Sequence, residues 1–265
     1  MLFIFRKLRQ GLMKEGKASR YLGYAVGEIV LIVAGILIAV QIGKWNDARG
    51  EARLLQGYKD RLIANLEADI HTRKITQMVN NGKVNQINFL YEVVKDPKVV
   101  QGRGVEFLIV VRYAPTMGES PLFTTTFDEL LSTGHMRLLD DALKGEVHRY
   151  YQFDQRFREY AQFRKDLALE YYKLSKGVLT LEQEEFLVDK GLNPFPYYNP
   201  GKVKTVSYED EGEILAAINR LRENTDLLAF LPTVKSGFLT LVQNDSERIE
   251  AAEALLKNLK GSPEE

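Results

Sequence analysis

No cysteine occurs among the 265 residues, which excludes disulfide staples, thiolate metal sites and cysteine nucleophiles. The absence suits a bacterial periplasm, where stray thiols oxidise, and is equally compatible with the cytosol. Charge of one sign is missing too: 36 Lys plus Arg balance 36 Asp plus Glu, so no global field points to a nucleic-acid partner. Histidine is scarce. His71, His135 and His148 form neither an H-E-x-x-H unit nor an H-x-x-x-H unit, and they read as surface or packing residues. The sequence contains no Gly-x-Ser-x-Gly elbow, Walker loop, dinucleotide fingerprint or calcium loop. Gln101-Gly102-Arg103-Gly104 is only a turn, and the acidic runs at 182–185 and 209–213 are solvated helix starts. The expectation is a chain with no catalytic residue, no metal and no cofactor, and so not an enzyme.

What is present is one long apolar run. Tyr21–Ile42 carries a single charge, Glu28, and its centre Ile29–Val40 is built from Ile, Leu, Val, Ala and Gly alone. As a helix it is about 33 Å long, against a hydrocarbon core of about 30 Å. Tyr21 and Tyr24 mark one interface and Trp45 the other, as an aromatic belt does. A cleaved signal has a shorter apolar stretch and a small-x-small exit; this run passes through Gln41, Lys44 and Trp45 into an amphipathic helix. The expected organisation is a basic leader over 1–20, a transmembrane helix over 21–45 and a helical extracytoplasmic domain over 46–265.

Orientation follows from the flanks. The leader holds Arg6, Lys7, Arg9, Lys14, Lys17 and Arg20 against the one acid Glu15, whereas residues 46–60 balance three bases with three acids. The positive-inside bias places the N-terminus in the cytoplasm and the rest in the periplasm of a bacterial inner membrane. Residues 3–14 alternate bulky apolar and basic side chains. They read as retention charge for the anchor, or as a helix lying on an anionic leaflet.

The residues Tyr24-Ala25-Val26-Gly27-Glu28-Ile29, Gly35-Ile36-Leu37-Ile38-Ala39, Gln41-Ile42, Trp45-Asn46 and Arg49 resemble the N-terminal region of a bacterial single-span family of unknown function, domain of unknown function 6090. Val40 and Gly43-Lys44 depart from that pattern without disturbing a spanning helix. A weaker echo is Glu129-Leu130 with Ser132-Thr133-Gly134. The resemblance implies one span with a helical extracytoplasmic region, and no activity.

A carboxylate inside a span costs about 2.5–3.5 kcal/mol at its centre and less near the interface. Around the helix Gly35 and Ala39 lie within about 20° of Glu28, so the acid shares a stripe with small residues that permit close approach. Gly23 and Gly27 belong to a second small stripe. One reading is a helix–helix interface in which Glu28 meets a donor from another helix. The others are a proton-carrying carboxylate and a tolerated acid that snorkels toward the headgroups.

Beyond the span, Leu55, Tyr58, Leu62, Leu66 and Ile70 recur at helical spacing, and Val84, Ile87, Tyr91 and Val94 continue a stripe. Asn80-Asn81-Gly82 is expected to kink or break that helix, and Asp96-Pro97 to end it. Val105–Val111 is a buried strand or a short core helix; periodicity does not separate them. Thr125 or Thr126 is expected to open a short helix through a capping box with Asp128 or Glu129, stopped at Gly134. One long aromatic-rich helix is expected over 139–176, its aromatics mainly core. A short helix opened by Thr180 follows, then a Pro-rich loop over 191–206. Phe195, Tyr197 and Tyr198 of that loop are a candidate contact surface or simple packing. Two last helices are expected over 208–228 and 232–259, joined at Leu231-Pro232.

The functional expectation is a membrane-anchored interaction protein, assembling with itself or with another membrane protein. A periplasmic ligand-sensing domain is the alternative. A proton-coupled channel or motor subunit, which would depend on Glu28, is the third reading.

Overall fold

α1 runs from Ala18 to Lys95, 78 residues without interruption. The computed structural model describes residues 18–117, 121–192 and 206–261, and the side chains of all of these except 18–21, 154, 156 and 157. The described elements are α-helices and short 3-10 turns, with no strand among the described residues. The chain divides into two units, 1–58 and 59–265. In the first, α1 is the only described element.

The second unit contains the rest of α1, then α2 (Gly104–Tyr113), α3 (Thr125–Ser132), α4 (Asp141–Glu159), α5 (Ala161–Leu174), α6 (Leu181–Asp189), α7 (Glu211–Glu223) and α8 (Thr225–Lys260). Asp96 accepts from Lys98 N at 3.0 Å and opens the 3-10 turn Pro97–Val100, so Asp96-Pro97 ends α1 as its chemistry requires. The open choice at 105–111 resolves as helix. Val105, Phe107, Leu108, Ile109, Val110 and Val111 are all buried, so the helix lies in the core with Glu106 and Arg112 at its partly exposed edge. α6 starts at a complete capping box: Thr180 Oγ1 accepts from Gln183 N and the Gln183 side chain accepts from Thr180 N.

Four expectations fail locally. Asn80-Asn81-Gly82 neither kinks nor breaks α1. Asn80 is wholly buried, and the packing of that face outweighs the roughly 1 kcal/mol penalty of a helical glycine. The capping box expected at Thr125 or Thr126 does not form: Thr124 is the cap, without a side-chain bond. Its intended members are engaged elsewhere. Thr126 accepts from Asn65 Nδ2 at 3.0 Å, and Glu129 takes Arg61 at 2.6 and 3.2 Å. The long helix over 139–176 is two helices that meet at Tyr160. Finally, Pro232 lies inside α8 rather than at its start. The junction is Asn224, which accepts from Leu227 N at 3.0 Å and donates to Leu174 O at 2.7 Å, so it caps α8 and ties it to the end of α5.

α1 and α8 run antiparallel within this unit, as the pairs Glu67–Lys260 and Lys74–Glu253 show. The buried face of α8 keeps an unbroken alternation of four and three residues: Leu227, Leu231, Val234, Phe238, Leu241, Asp245, Arg248, Ala252, Leu255, Leu259. That of α1 does the same from Leu66 through Asp69, Arg73, Thr76, Asn80 and Lys83 to Ile87 and Leu90. This is the spacing of a coiled-coil seam. In both helices its middle is polar.

Candidate functional site

In the first unit the most apolar eighteen-residue window of α1 is not buried at all, and the helix is long and apolar enough to cross a membrane. Glu28, Gly23, Gly27, Gly35 and Ala39 are all exposed, as are Tyr24 and Trp45. A Cβ added at Gly23, Gly27 or Gly35 would meet nothing within 4 Å. The small-residue faces are therefore bare in the single chain. Trp45 carries the Arg49 guanidinium 4.3 Å from its ring centroid, a cation–π contact between helical neighbours four residues apart. Tyr21 lies on α1, but its side chain is outside the described residues, as are the leader 1–17 and the loop aromatics Phe195, Tyr197 and Tyr198.

α8 also passes the length and hydropathy test for a span. Its apolar stripe is the buried seam described above, however, and the stripe carries Asp245 and Arg248 at its middle. It serves as a core helix of the second unit.

The polar block on the seam is the feature missed in the sequence. Arg73 Nη1 lies 3.5 Å from Asp245 Oδ1, with side chains 2% and 5% exposed. Burial pushes the Asp245 carboxyl up, against the pull of Arg73 and Arg248. Asp69 accepts from Tyr150 Oη at 3.0 Å and from Phe123 N at 3.1 Å. Gln77 donates to Ser246 Oγ at 2.6 Å, and Arg248 to Phe153 O at 3.2 Å. Lys83 donates to Tyr113 O at 2.8 Å, and burial pulls its amine down to about 8. Arg164 of α5 is buried as well. The signal was in the sequence: the three-and-four spacing continues through these residues, and only their polarity hides it.

Of the histidines, His71 is exposed, and His148 meets Phe127 edge-on at 5.5 Å. Phe127 stacks on Tyr151 at 4.4 Å. The aromatic-rich segment is core in part: Tyr150, Tyr151 and Tyr171 are buried, whereas Tyr160 and Phe163 are more than half exposed. Among the described residues no group of His, Asp and Glu is arranged to hold a metal ion.

An open cleft of about 970 Å³ has Val100, Val105, Ile214 and Ile218 as its floor and Lys98, Arg103, Glu106 and Tyr208 at its rim. The Arg103 charge is already engaged, by two contacts of 2.8 Å to Glu106 and by the Phe89 ring at 4.2 Å.

The echo at Glu129–Gly134 has a physical content. Glu129 holds Arg61, Leu130 is fully buried, Thr133 Oγ1 returns to Glu129 O at 2.7 Å, and Gly134 takes φ +70° to leave the helix. Each residue does a separate structural task.

Comparison of the chain with protein-family models, curated proteins and solved structures finds no match.

Proposed function

We propose that this chain is a membrane-anchored, extracytoplasmic interaction protein: α1 enters the bilayer over residues 21–45 and the helical region beyond it engages a membrane-protein partner or further copies of the chain. The observation that carries this reading is the complete exposure of the apolar window of α1. An apolar helix of that length left in water exposes far more contiguous apolar surface than soluble proteins tolerate, whereas hydrocarbon of about 30 Å matches it. The six basic residues of the leader orient it with the N-terminus in the cytoplasm. Glu28 and the small stripe of Gly35 and Ala39 supply the helix–helix contact, where close approach lets a buried acid find a donor.

The ligand-sensing reading has one supporting observation, the cleft over Val100 and Ile214, whose volume lies in the range of small-molecule sites. It ranks second because the best-placed rim cation, Arg103, is engaged within the chain.

Alkaline phosphatase fused after Gly261 tests the topology. The fusion is expected to be active, and a stable but inactive fusion overturns the orientation. Purification in mild detergent with mass measurement tests the assembly, which is expected as a defined oligomer or a defined complex. A monodisperse monomer with no co-purifying chain overturns it.

A further inference from the structure

The polar block on the α1–α8 seam divides the core of the second unit in two. On one side lie the end of α1, α2, α6, α7 and the first half of α8, whose buried side chains, with Leu167 and Tyr171 of α5, form one apolar cluster that includes Ile87, Phe107 and Phe238. Buried apolar residues outside that cluster lie on the other side, on α1 before the polar block, α3, α4 and the last turns of α8: Leu66, Leu130, Val147, Tyr151, Leu255 and Leu259. Between them come Asp69, Arg73 and Lys83 from α1, Asp245 and Arg248 from α8, and Arg164 from α5.

The α4–α5 line breaks at Tyr160, between Phe153, whose carbonyl accepts from Arg248, and the buried Arg164. α2 ends at Tyr113, whose carbonyl Lys83 holds, and α3 begins at Thr125. Among the described residues, α1 and α8 continue as helix past the polar block, and both present charge to it.

We propose that this polar waist is a cooperativity boundary, at which the α3–α4 end of the unit opens while the α2–α6–α7 end stays folded. Apolar packing couples the ends of a bundle because each buried methylene is shared across the seam. A buried ion pair contributes little net stability, since desolvation offsets its attraction. Stability is therefore concentrated in the two apolar ends, and the contact between them is its weakest level. The end around α2 holds the larger apolar cluster, so the other opens first. Its α3 and α4 swing at the break beside Tyr160, while α1 and α8 act as the rails.

Hydrogen exchange read by mass spectrometry on the full chain in mild detergent tests this. Amides of α3, α4 and the last turns of α8 are expected to exchange at least about tenfold faster than those of α2, α6 and α7, with a weaker dependence on urea. One shared protection and one shared urea dependence across both sets overturn the proposal. The double variant Arg73→Met with Asp245→Leu replaces the central pair of the waist by apolar side chains and is expected to narrow the gap between the two sets. Sets that stay as far apart in that variant as in the wild type overturn the waist as the boundary. Where the variant does not fold, the wild-type comparison decides by itself.

Discussion

Lys83 Nζ donates to the Tyr113 carbonyl oxygen at 2.8 Å, so a buried cation from α1 closes the last turn of α2. The site favours a positive charge through the helix dipole, yet burial still pulls the amine from 10.5 down to about 8. Between those values the unfolded chain binds the proton and the folded chain has released it, so stability rises with pH across that window. The unfolding free energy of the wild type from urea titration is expected to climb from about pH 8 toward pH 10, by on the order of 1–3 kcal/mol. The climb should vanish in Lys83→Met. Above about pH 10 the sign reverses: Tyr150, Tyr151 and Tyr171 have phenols pushed up by burial, and they keep protons that the unfolded chain gives away. Parallel profiles for wild type and Lys83→Met from pH 8 to 10 would mean that the amine is solvated.

Tyr150 and Asp69 give a second measurable case. The phenol donates to a carboxylate that is 1% exposed, as does Phe123 N. Tyr150→Phe keeps the ring and removes the donor. The loss is expected near 1.5–3 kcal/mol, the range for hydrogen bonds to charged groups. Urea unfolding of the two proteins reads it. A change below about 0.5 kcal/mol, the scale of ordinary surface substitutions, would show that water reaches Asp69.

How far the sequence disclosed this fold depends on whether each signal is local. Asp96-Pro97, Thr180 with Gln183, and the exposed apolar run of α1 act through their own neighbours, and they were readable. Pro232 misled because a proline is a local breaker, whereas the continuation of α8 is decided by Leu227, Leu231 and Val234 packing on one seam. Asn224 was overlooked as a cap because half of its role is the tertiary bond to Leu174 O. Asn80-Asn81-Gly82 misled in the same way, since Asn80 belongs to the waist. The waist itself escaped notice because apolar periodicity was the guide. Asp69, Arg73, Lys83, Asp245 and Arg248 keep the period but not the polarity. Of the candidate site, the exposed apolar run of α1 was legible from composition, and the loop residues Phe195, Tyr197 and Tyr198 lie outside the described residues.

Gly134 follows α3 with φ +70° and opens the 3-10 turn His135–Leu138. An L side chain in that region costs about 1–2 kcal/mol. Space is not the obstacle, because a Cβ there would meet nothing within 4 Å. Gly134→Ala is therefore expected to destabilise by about 1 kcal/mol, and Gly134→Asn by less, since asparagine tolerates the left-handed region. Equal stability of all three proteins would show that the turn relaxes to another conformation.

The assembly reading concentrates on Glu28, seven residues before Gly35 and eleven before Ala39 on one face of α1. Within hydrocarbon an interhelical hydrogen bond contributes only about 0.6–2 kcal/mol, so the substitutions at Glu28 and Gly35 should rank rather than switch. Glu28→Gln keeps a group that pairs and is expected to be nearly neutral. Glu28→Leu removes the bond and weakens assembly. Gly35→Leu weakens it more, because its side chain forces apart helices that meet on a face where a Cβ now finds open space. Recovery of the oligomer or complex in mild detergent, compared across the three variants, measures the order. An intact assembly with a cellular phenotype in Glu28→Gln alone shifts the reading to proton transfer, because the amide pairs but does not titrate. Unchanged assembly in all three removes the small-residue face from the argument and leaves α1 an anchor.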